Sequence, residues 1–489
     1  MRLVYRGHDF GYEIEKLCSV FFPYEKMIQT DTVEECGEEN FTQAVLLPAE
    51  GGGLAKVTIR IRGEIFRDER FVPGEGEALA RDAELEMATL LYHIFGKVCG
   101  QTPKWGLLTG VRPIKLYRRL TEEFGEGAQE QFRNKLLVSE EKTALARETE
   151  RAQTPILNSS RPESFSLYIS IPFCPSRCSY CSFVSQTVER AKVLVPDYVA
   201  RLKEEIAQTG EIARDLGLRL ETVYFGGGTP TTLSAEQLQE LIGTVRGSFD
   251  LSTVREFTVE AGRPDTITRE KLLALRECGV DRISINPQTM NDEVLERIGR
   301  RHSAKQTEEA FWLARECGFG NINMDTIAGL PGESAESFRR TMQILTDWNP
   351  ESITVHTLAL KRSSNFNQNE DPRQLDGAAA EEMVEYSQKI LPQKGYAPYY
   401  LYRQSRMLAN LENVGWSKPG FENLYNVFIM EETHTILACG AGAVTKYRQP
   451  GGERIERIFN FKYPYEYNTR FAEILQRKKG VKEFYESDQ

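Results

Sequence analysis

Cys174, Cys178 and Cys181 fall within eight residues of one another, in the segment Tyr168-Ile-Ser-Ile-Pro-Phe-Cys-Pro-Ser-Arg-Cys-Ser-Tyr-Cys-Ser-Phe183. Thiolates at the spacing C-x3-C-x2-C can hold three corners of a cubane [4Fe–4S] cluster and leave the fourth iron without a protein ligand. An iron with a vacant position can bind and activate a small molecule, whereas four thiolates make a closed electron carrier. Other uses of the cysteines fit less well. A disulfide does not suit a chain whose start, Met1-Arg-Leu-Val-Tyr-Arg-Gly-His-Asp9, lacks the apolar run of a secretory leader. Structural zinc would want a fourth ligand nearby, and the loop offers neither a further cysteine nor a histidine. Cys18, Cys36, Cys99, Cys278, Cys317 and Cys439 are scattered singly and read as buried, inert thiols.

Three further features could do chemistry. Gly226-Gly-Gly228 has no side chains, so its backbone can approach a ligand closely and its N–H groups can point at a carboxylate; the alternative is a tight strand-to-helix turn before Pro230. Glu260 ends an apolar run, a costly place for a carboxylate without a partner. That partner would be a cationic amine or sulfonium, or ribose hydroxyls, or else a structural ion pair with Arg263 or Arg282. Asp325, in Asn323-Met-Asp-Thr-Ile327, admits the same two readings.

The elements that must position these residues begin near residue 165. Strand-like runs over Leu167–Ile171, Thr222–Phe225, Glu256–Glu260, Arg282–Asn286, Asn321–Ile327 and Ser352–Leu358 look largely unbroken by polar alternation, as expected of parallel strands buried on both faces. Between and after them lie helical stretches over Asp197–Leu216, Ala235–Gly247, Arg269–Cys278, Thr307–Cys317, Ala335–Asp347 and Gly377–Leu391. Ser234, Thr268 and Ser334 stand where N-caps belong, and Gly217, Gly279 and Gly318 follow helix ends. Successive β/α units imply an α/β barrel, or an open part of one, with its chemistry at the C-terminal strand ends. The cysteine loop, the glycine loop, Glu260 and Asp325 all fall at such ends. Earlier in the chain, strands Gln43–Leu47 and Ala55–Arg62 flank the glycines at 51–53, and Ala83–Cys99 is an amphipathic helix. The expected domains are an α+β unit over 1–125, a helical connector over 126–160, the barrel over 161–395 and a mixed segment over 396–489 that covers the substrate.

Composition narrows the function classes. The chain of 489 residues is 40% hydrophobic and 27% charged, with 61 basic against 71 acidic residues and a net charge of −10. No basic stripe suggests nucleic acid, and no apolar run reaches bilayer length, so neither nucleic acid nor a membrane span is expected. The cytoplasm is the expected location, where an oxygen-sensitive cluster survives.

The cysteine loop resembles the signature of the radical S-adenosylmethionine (SAM) superfamily. The resemblance continues through Phe225-Gly-Gly-Gly-Thr-Pro-Thr231, Val259-Glu-Ala261, Arg282-Ile-Ser-Ile-Asn-Pro-Gln-Thr289 and Asp325-Thr-Ile-Ala-Gly-Leu-Pro331, which look like successive motifs of the oxygen-independent coproporphyrinogen oxidases and their relatives. Trp105-Gly-Leu-Leu-Thr-Gly-Val-Arg-Pro-Ile-Lys115, Tyr400-Leu-Tyr-Arg-Gln404 and Asn410-Leu-Glu-Asn413 extend the likeness toward coproporphyrinogen dehydrogenases, so that it spans residues from about 100 to 447. The resemblance implies a partial parallel (β/α)6 barrel with Cys174, Cys178 and Cys181 as cluster ligands. It implies SAM contacts at Tyr168, Tyr180, Gly227, Gly228, Thr229, Glu260, Gln288, Arg300, Asp325 and, more loosely, Ala359. On residue chemistry alone Arg300 fits that role least, because Arg297 and Arg301 crowd it and helical arginines are usually solvated.

The implied reaction is oxidative decarboxylation of two propionates of coproporphyrinogen III, giving protoporphyrinogen IX, by a SAM-derived 5′-deoxyadenosyl radical. An electron donor such as flavodoxin or ferredoxin would serve it. Tyr399, Tyr400, Tyr402, Arg403, Trp416 and Tyr425 offer either a wall and anchor for the tetrapyrrole or simple core packing. Two departures stand out: Phe183 occupies the place of a fourth cysteine in the well-known oxidases, and Ser170 that of a histidine. Relatives lacking that cysteine include haem chaperones, so haem binding without oxidase turnover is the second expectation, and a zinc-stabilised barrel a remote third.

Overall fold

The computed structural model describes residues 1–181, 185–359 and 375–486. The chain divides into two compact units, Met1–Arg147 with Arg403–Asn410, and Glu148–Tyr402 with Leu411–Gln489.

In the first unit a five-stranded sheet is built from β1 (Arg2–Arg6), β2 (Ile28–Gln29), β3 (Phe41–Ala49), β4 (Gly52–Ile61) and β5 (Glu64–Pro73), in the order β2-β1-β3-β4-β5. β1 runs parallel to both neighbours, and β3 to β5 form an antiparallel meander. The expected glycine turn joins β3 to β4, with Ala49 opposite Gly52 and Gly51 at φ +74°, a left-handed value that favours glycine. Along β4 every second residue is buried, and Ala55, Val57, Ile59 and Ile61 join one core with Met87, Leu90, Leu91 and Phe95 of helix Gly76–Cys99.

The second unit holds an eleven-stranded sheet and a two-stranded ribbon. In chain order the strands are β6 (Ser164–Ile171), β7 (Phe173–Cys174), β8 (Gln186–Thr187), β9 (Arg219–Gly227), β10 (Glu256–Glu260), β11 (Arg282–Ser284), β12 (Ile322–Ala328), β13 (Ser352–Thr357), β14 (Ala397–Tyr402), β15 (Asn413–Ser417), β16 (Thr435–Cys439), β17 (Val444–Arg448) and β18 (Ile455–Phe459). The sheet runs β14-β15-β13-β12-β11-β10-β9-β6-β16-β17-β18, and β7 pairs with β8. The six expected strands, β6 and β9 to β13, lie side by side in sequence order and are all parallel. Helices Val195–Asp215, Ala235–Ser248, Arg269–Glu277, Ala304–Glu316 and Ala335–Trp348 connect them. β16 adds a seventh parallel strand beside β6, contributed by the C-terminal segment. β15 closes the other flank antiparallel to β13, so the array is a partial barrel that its hydrogen bonds leave open.

The helices start and stop for local reasons. Ser234 accepts from Gln237 N in a full capping box, Thr268 from Lys271 N and Ser334 from Ser337 N. Gly217, Gly279 and Gly318 have φ of +63°, +78° and +86° at the helix ends, where a side chain would be strained.

One expectation about the strands is corrected. They are buried on both faces, yet they do alternate. Tyr168, Tyr224, Thr258, Ser284, Asn323 and Thr354 occupy one set of positions, and Leu167, Val223, Phe257, Ile283, Met324 and Ile353 the other. Hydroxyls, amides and carboxylates along the first set bond to one another across the strands, as in Asn323 Nδ2 to Ser284 Oγ at 2.8 Å and Thr354 Oγ1 to Asn323 Oδ1 at 3.1 Å. The parallel-strand rule of continuous apolar runs fails here because one face is a hydrogen-bonded polar lining, not a packed core.

Candidate functional site

The three cysteines ride on the turn that leaves β6. Phe173 and Cys174 pair with Gln186 and Thr187 in the β7–β8 ribbon, which clasps the two ends of the loop. Between them Cys181 N donates to Cys178 O at 3.2 Å, and Ser179 N reaches Ile298 O at 3.0 Å. Ser176 Oγ donates to Gly299 O at 2.8 Å. None of the nine cysteines is joined to another in a disulfide. Burial pushes the Cys174 thiol up, and the Thr229 hydroxyl, 3.5 Å from its sulfur, partly offsets this. Phe183 lies outside the described residues.

The glycine segment continues β9 alongside this loop. Two of its N–H groups are used within the protein: Gly228 N donates to Ile171 O at 2.8 Å and Thr229 N to Phe173 O at 2.7 Å. The glycines also serve close approach. A Cβ on Gly228 would sit 2.6 Å from Phe173 O, and one on Gly226 3.1 Å from Glu260 Oε1, so only glycine lets the two loops lie together.

Glu260 accepts a hydrogen bond from Tyr224 Oη at 2.6 Å, and burial raises its carboxyl to about 7. Neither arginine offered as its ion-pair partner takes that role. Arg282 donates to Asn321 Oδ1 at 2.8 Å and Ser352 Oγ at 2.9 Å, while Arg263 pairs with Asp265 at 3.2 Å. Tyr168, Tyr224 and Tyr425 form a mutual cluster of stacked rings, with centroids 6.1 Å (Tyr168–Tyr224), 4.5 Å (Tyr224–Tyr425) and 5.9 Å (Tyr168–Tyr425) apart. Burial raises all three phenols, which stay protonated donors. Asp325 has His356 Nε2 at 3.7 Å and accepts from Asn323 Nδ2 at 2.7 Å. Burial alone would raise the Asp325 carboxyl, but the hydrogen bonds from His356, Asn323 and Thr354 hold it below its ordinary value.

Gln288 and Arg300 approach from the next strand end. Gln288 has φ +67°, its N donates to Asp325 O at 2.9 Å, and its O accepts from Ile327 N at 3.0 Å. A left-handed non-glycine residue persists only where its surroundings over-determine it. Arg300 corrects the reading of a solvated helical arginine. It is 8% exposed, follows the end of helix Asp292–Arg297, and Nη1 donates to Asn286 O at 2.6 Å and Gly262 O at 3.2 Å. Burial lowers its basicity, but the nearby Tyr180 and Cys178 more than offset this. Ala359 lies just past β13. His302, which sequence reasoning did not single out, is also buried there, and burial with the charges of Arg300 and Arg263 pushes it down to about 3. In the aromatic cluster after the barrel Tyr402 is half-buried and Tyr425 stacks on Tyr168 and Tyr224. Tyr399, Tyr400, Trp416 and Tyr425 are buried, and Tyr400 packs over Gly415.

The residues fit a cluster and a polar organic ligand. Gln288 Oε1, Arg300 Nε and both ring nitrogens of His302 are buried without a partner in the protein. Each such atom costs about 1–3 kcal/mol unless something else satisfies it, and their gathering at one strand end suits a ligand rich in donors and acceptors. Among the described residues no three His, Cys, Asp or Glu side chains converge as around one metal ion. A cubane does not ask for that, because each thiolate binds a different iron.

Comparison with known proteins adds the family. The radical SAM superfamily profile matches residues 168–345. The oxygen-independent coproporphyrinogen-III oxidase-like protein HemZ of Bacillus subtilis is 42% identical over 386 residues, 78% of this chain and 77% of that protein. The heme chaperone HemW of Escherichia coli is 30% identical over 299 residues, 61% of this chain and 74% of that protein. The solved structure of Escherichia coli HemN, a radical SAM coproporphyrinogen III oxidase, shares the fold at a TM-score of 0.52 and 23% identity, covering 66% of this chain and 72% of that one. The likeness to HemZ reaches far beyond the cysteine loop, and with it this chain belongs to the radical SAM superfamily, whose members use a [4Fe–4S] cluster and SAM, in the branch that holds the oxygen-independent coproporphyrinogen III oxidases and their relatives.

Proposed function

We propose that this chain acts in haem biosynthesis as a coproporphyrinogen dehydrogenase, decarboxylating two propionates of coproporphyrinogen III to the vinyl groups of protoporphyrinogen IX without oxygen. The observation that carries this reading is the extent of the likeness to HemZ, 386 residues against the 168–345 span of the superfamily profile. Cys174, Cys178 and Cys181 would hold the cluster. Tyr168, Tyr180, Gly227, Gly228, Thr229, Glu260, Gln288, Arg300, Asp325 and Ala359 would surround SAM. When bound, the reduced cluster and SAM supply a carbon radical able to take an unactivated hydrogen.

The chain's own residues do the positioning. Glu260, held by Tyr224 with a carboxyl raised to about 7, can accept or donate a hydrogen bond near neutrality. Asp325, kept ionised beside His356, is a fixed acceptor. Arg300 brings a permanent cation to a water-poor strand end, where it would favour a carboxylate. Tyr180 stands beside Arg300, and the glycines let their segment lie close against the chain that leads into the cysteine loop. A flavodoxin or ferredoxin would donate the electron for SAM cleavage, and an external acceptor would take the electron left on the substrate as each carboxylate leaves as carbon dioxide. Among the described residues no helix is long and apolar enough to cross a membrane.

The second reading is a haem chaperone. The 30% identity to HemW over 74% of its length favours it, as does Ser170 where the well-known oxidases carry histidine. Anaerobic reconstitution with iron and sulfide, followed by dithionite, SAM and coproporphyrinogen III, separates the two. Vinyl-bearing product is expected. Stoichiometric haem capture with no product would replace the first reading by the second.

A further inference from the structure

One buried charge beside the cysteine loop has no part in the arrangement so far. Arg263 stands three residues after Glu260, past the end of β10, and is 3% exposed. Two groups hold its guanidinium. Nε donates to Asp265 Oδ1 and Nη2 to Asp265 Oδ2, each at 3.2 Å, a bidentate pair. Nη1 donates to Ser176 O at 3.2 Å and Nη2 to Ser176 Oγ at 3.1 Å. Nη1 then faces Cys178 Sγ at 4.0 Å. The cation therefore stands between a carboxylate and a cysteine sulfur, and the stretch from Cys174 to Cys178 is tied to it at Ser176.

We propose that Arg263 is a positioning residue for the cluster: it sets the loop that carries Cys174 and Cys178 and raises the reduction potential of the cluster those cysteines hold, with Asp265 acting in the opposite sense. The inference rests on reading the three cysteines as cluster ligands. Reduction adds one electron and makes or breaks no bond, so the more negative state gains most from a nearby positive charge, and in a water-poor setting that gain is weakly screened. Hydrogen bonds and charges around the sulfurs are among the means by which a protein tunes such clusters. Arginine suits the place better than lysine because its planar fork can grip a carboxylate, a carbonyl and a hydroxyl and still turn an N–H edge toward sulfur. Arg300 is a second cation near Cys178, with Nη1 held by the carbonyls of Gly262 and Asn286, and changes at Arg263 and Asp265 leave its charge in place.

The test compares reconstituted wild type, Arg263→Lys, Arg263→Gln and Asp265→Asn. Iron and sulfide content is measured first, then an anaerobic redox titration followed by electron paramagnetic resonance without SAM. Arg263→Gln is expected to move the reduction equilibrium about tenfold toward the oxidised state, which is about 59 mV to lower potential for one electron. Asp265→Asn is expected to move it the other way, and Arg263→Lys to stay near wild type. Opposite shifts are what a purely structural clamp would not give. Shifts of Arg263→Gln and Asp265→Asn in one direction, or none in either, would overturn the proposal. Should Arg263→Gln hold no cluster, Asp265→Asn decides: a raised potential supports the inference and an unchanged one overturns it. A wild type that binds no iron would instead bring down the reading of the cysteines.

Discussion

At the scale of single residues, the site mixes groups whose burial has moved them in opposite directions. Glu260 is raised to about 7, whereas Asp325 is held low, although β10 and β12, which carry them, are separated only by β11. Such divergence often marks a working pocket. Replacing Tyr224 by phenylalanine removes the 2.6 Å hydrogen bond that favours the Glu260 carboxylate, so Glu260 should stay protonated to higher pH. The expected outcome is an upward displacement of the pH midpoint of SAM affinity, measured by equilibrium dialysis on the cluster-loaded protein; an unmoved midpoint would separate Glu260 from SAM. Glu333 makes a purely thermodynamic case. It is buried, accepts from Thr289 Oγ1 at 2.5 Å and Ser337 Oγ at 3.2 Å, and burial raises it to about 7. The native state therefore binds its proton more tightly than the unfolded chain, and stability falls as pH rises from about 4.5 to about 7. Glu333→Gln keeps the two acceptor bonds and cannot ionise. Its urea unfolding should lose up to about 3 kcal/mol less than wild type between pH 5 and 8.

At the scale of elements, a buried carboxylate joins the C-terminal segment to the barrel. Glu205, on helix Val195–Asp215, is wholly buried and accepts from Gly440 N at 2.7 Å, Asn460 Nδ2 at 2.8 Å and Tyr467 Oη at 2.6 Å. Lys478 Nζ, on helix Phe471–Glu486, stands 3.1 Å from it. Because the network is fully bonded, removing one partner strands the other charge in the interior. Glu205→Ala should cost about 3–5 kcal/mol by chemical denaturation, and Glu205→Ala with Lys478→Met distinctly less than the sum of the single changes. None of this was legible in the sequence, because Glu205 and Lys478 lie on amphipathic helices where acids and bases are ordinarily solvated. The elements themselves were legible: Glu256–Glu260 is a strand with the expected bounds, and Ser234 caps the expected helix. Those features are local, set by periodicity and capping chemistry. β16 was missed because its place beside β6 depends on pairing across some 270 residues of chain, which no local pattern encodes. The burial of Arg300 was missed for the same reason. Gln288 and Arg300 entered the candidate site through the family resemblance alone and Asp325 also as a carboxylate in an apolar run, and only the fold shows what each of them touches.

At the scale of the whole molecule, the motifs outside the barrel have a structural use that does not depend on chemistry. Trp105 and Arg403, almost 300 residues apart, meet in the first unit, the guanidinium 5.7 Å from the indole ring. Arg403 N donates to Val111 O at 2.8 Å and Nη1 to Leu108 O at 2.6 Å, and Nη2 reaches Asn410 O at 3.3 Å. Residues 403–410 thus complete a unit whose remainder is residues 1–147. A fragment starting at residue 148 would keep this segment and lose its partners, leaving a buried-type guanidinium and its neighbours without a fold to join. That fragment should expose new apolar surface and unfold at lower temperature than the full chain, as read by dye binding and calorimetry. In the full chain, Arg403→Ala should cost about 2–4 kcal/mol, because two carbonyls lose charge-assisted hydrogen bonds and the indole loses its cation. Arg403→Lys should recover only part of that, since a single ammonium cannot span both carbonyls and the ring. If the fragment melted with the full chain and Arg403→Ala were silent, the tryptophan-glycine motif and its distant partner would need a role in binding, not in folding.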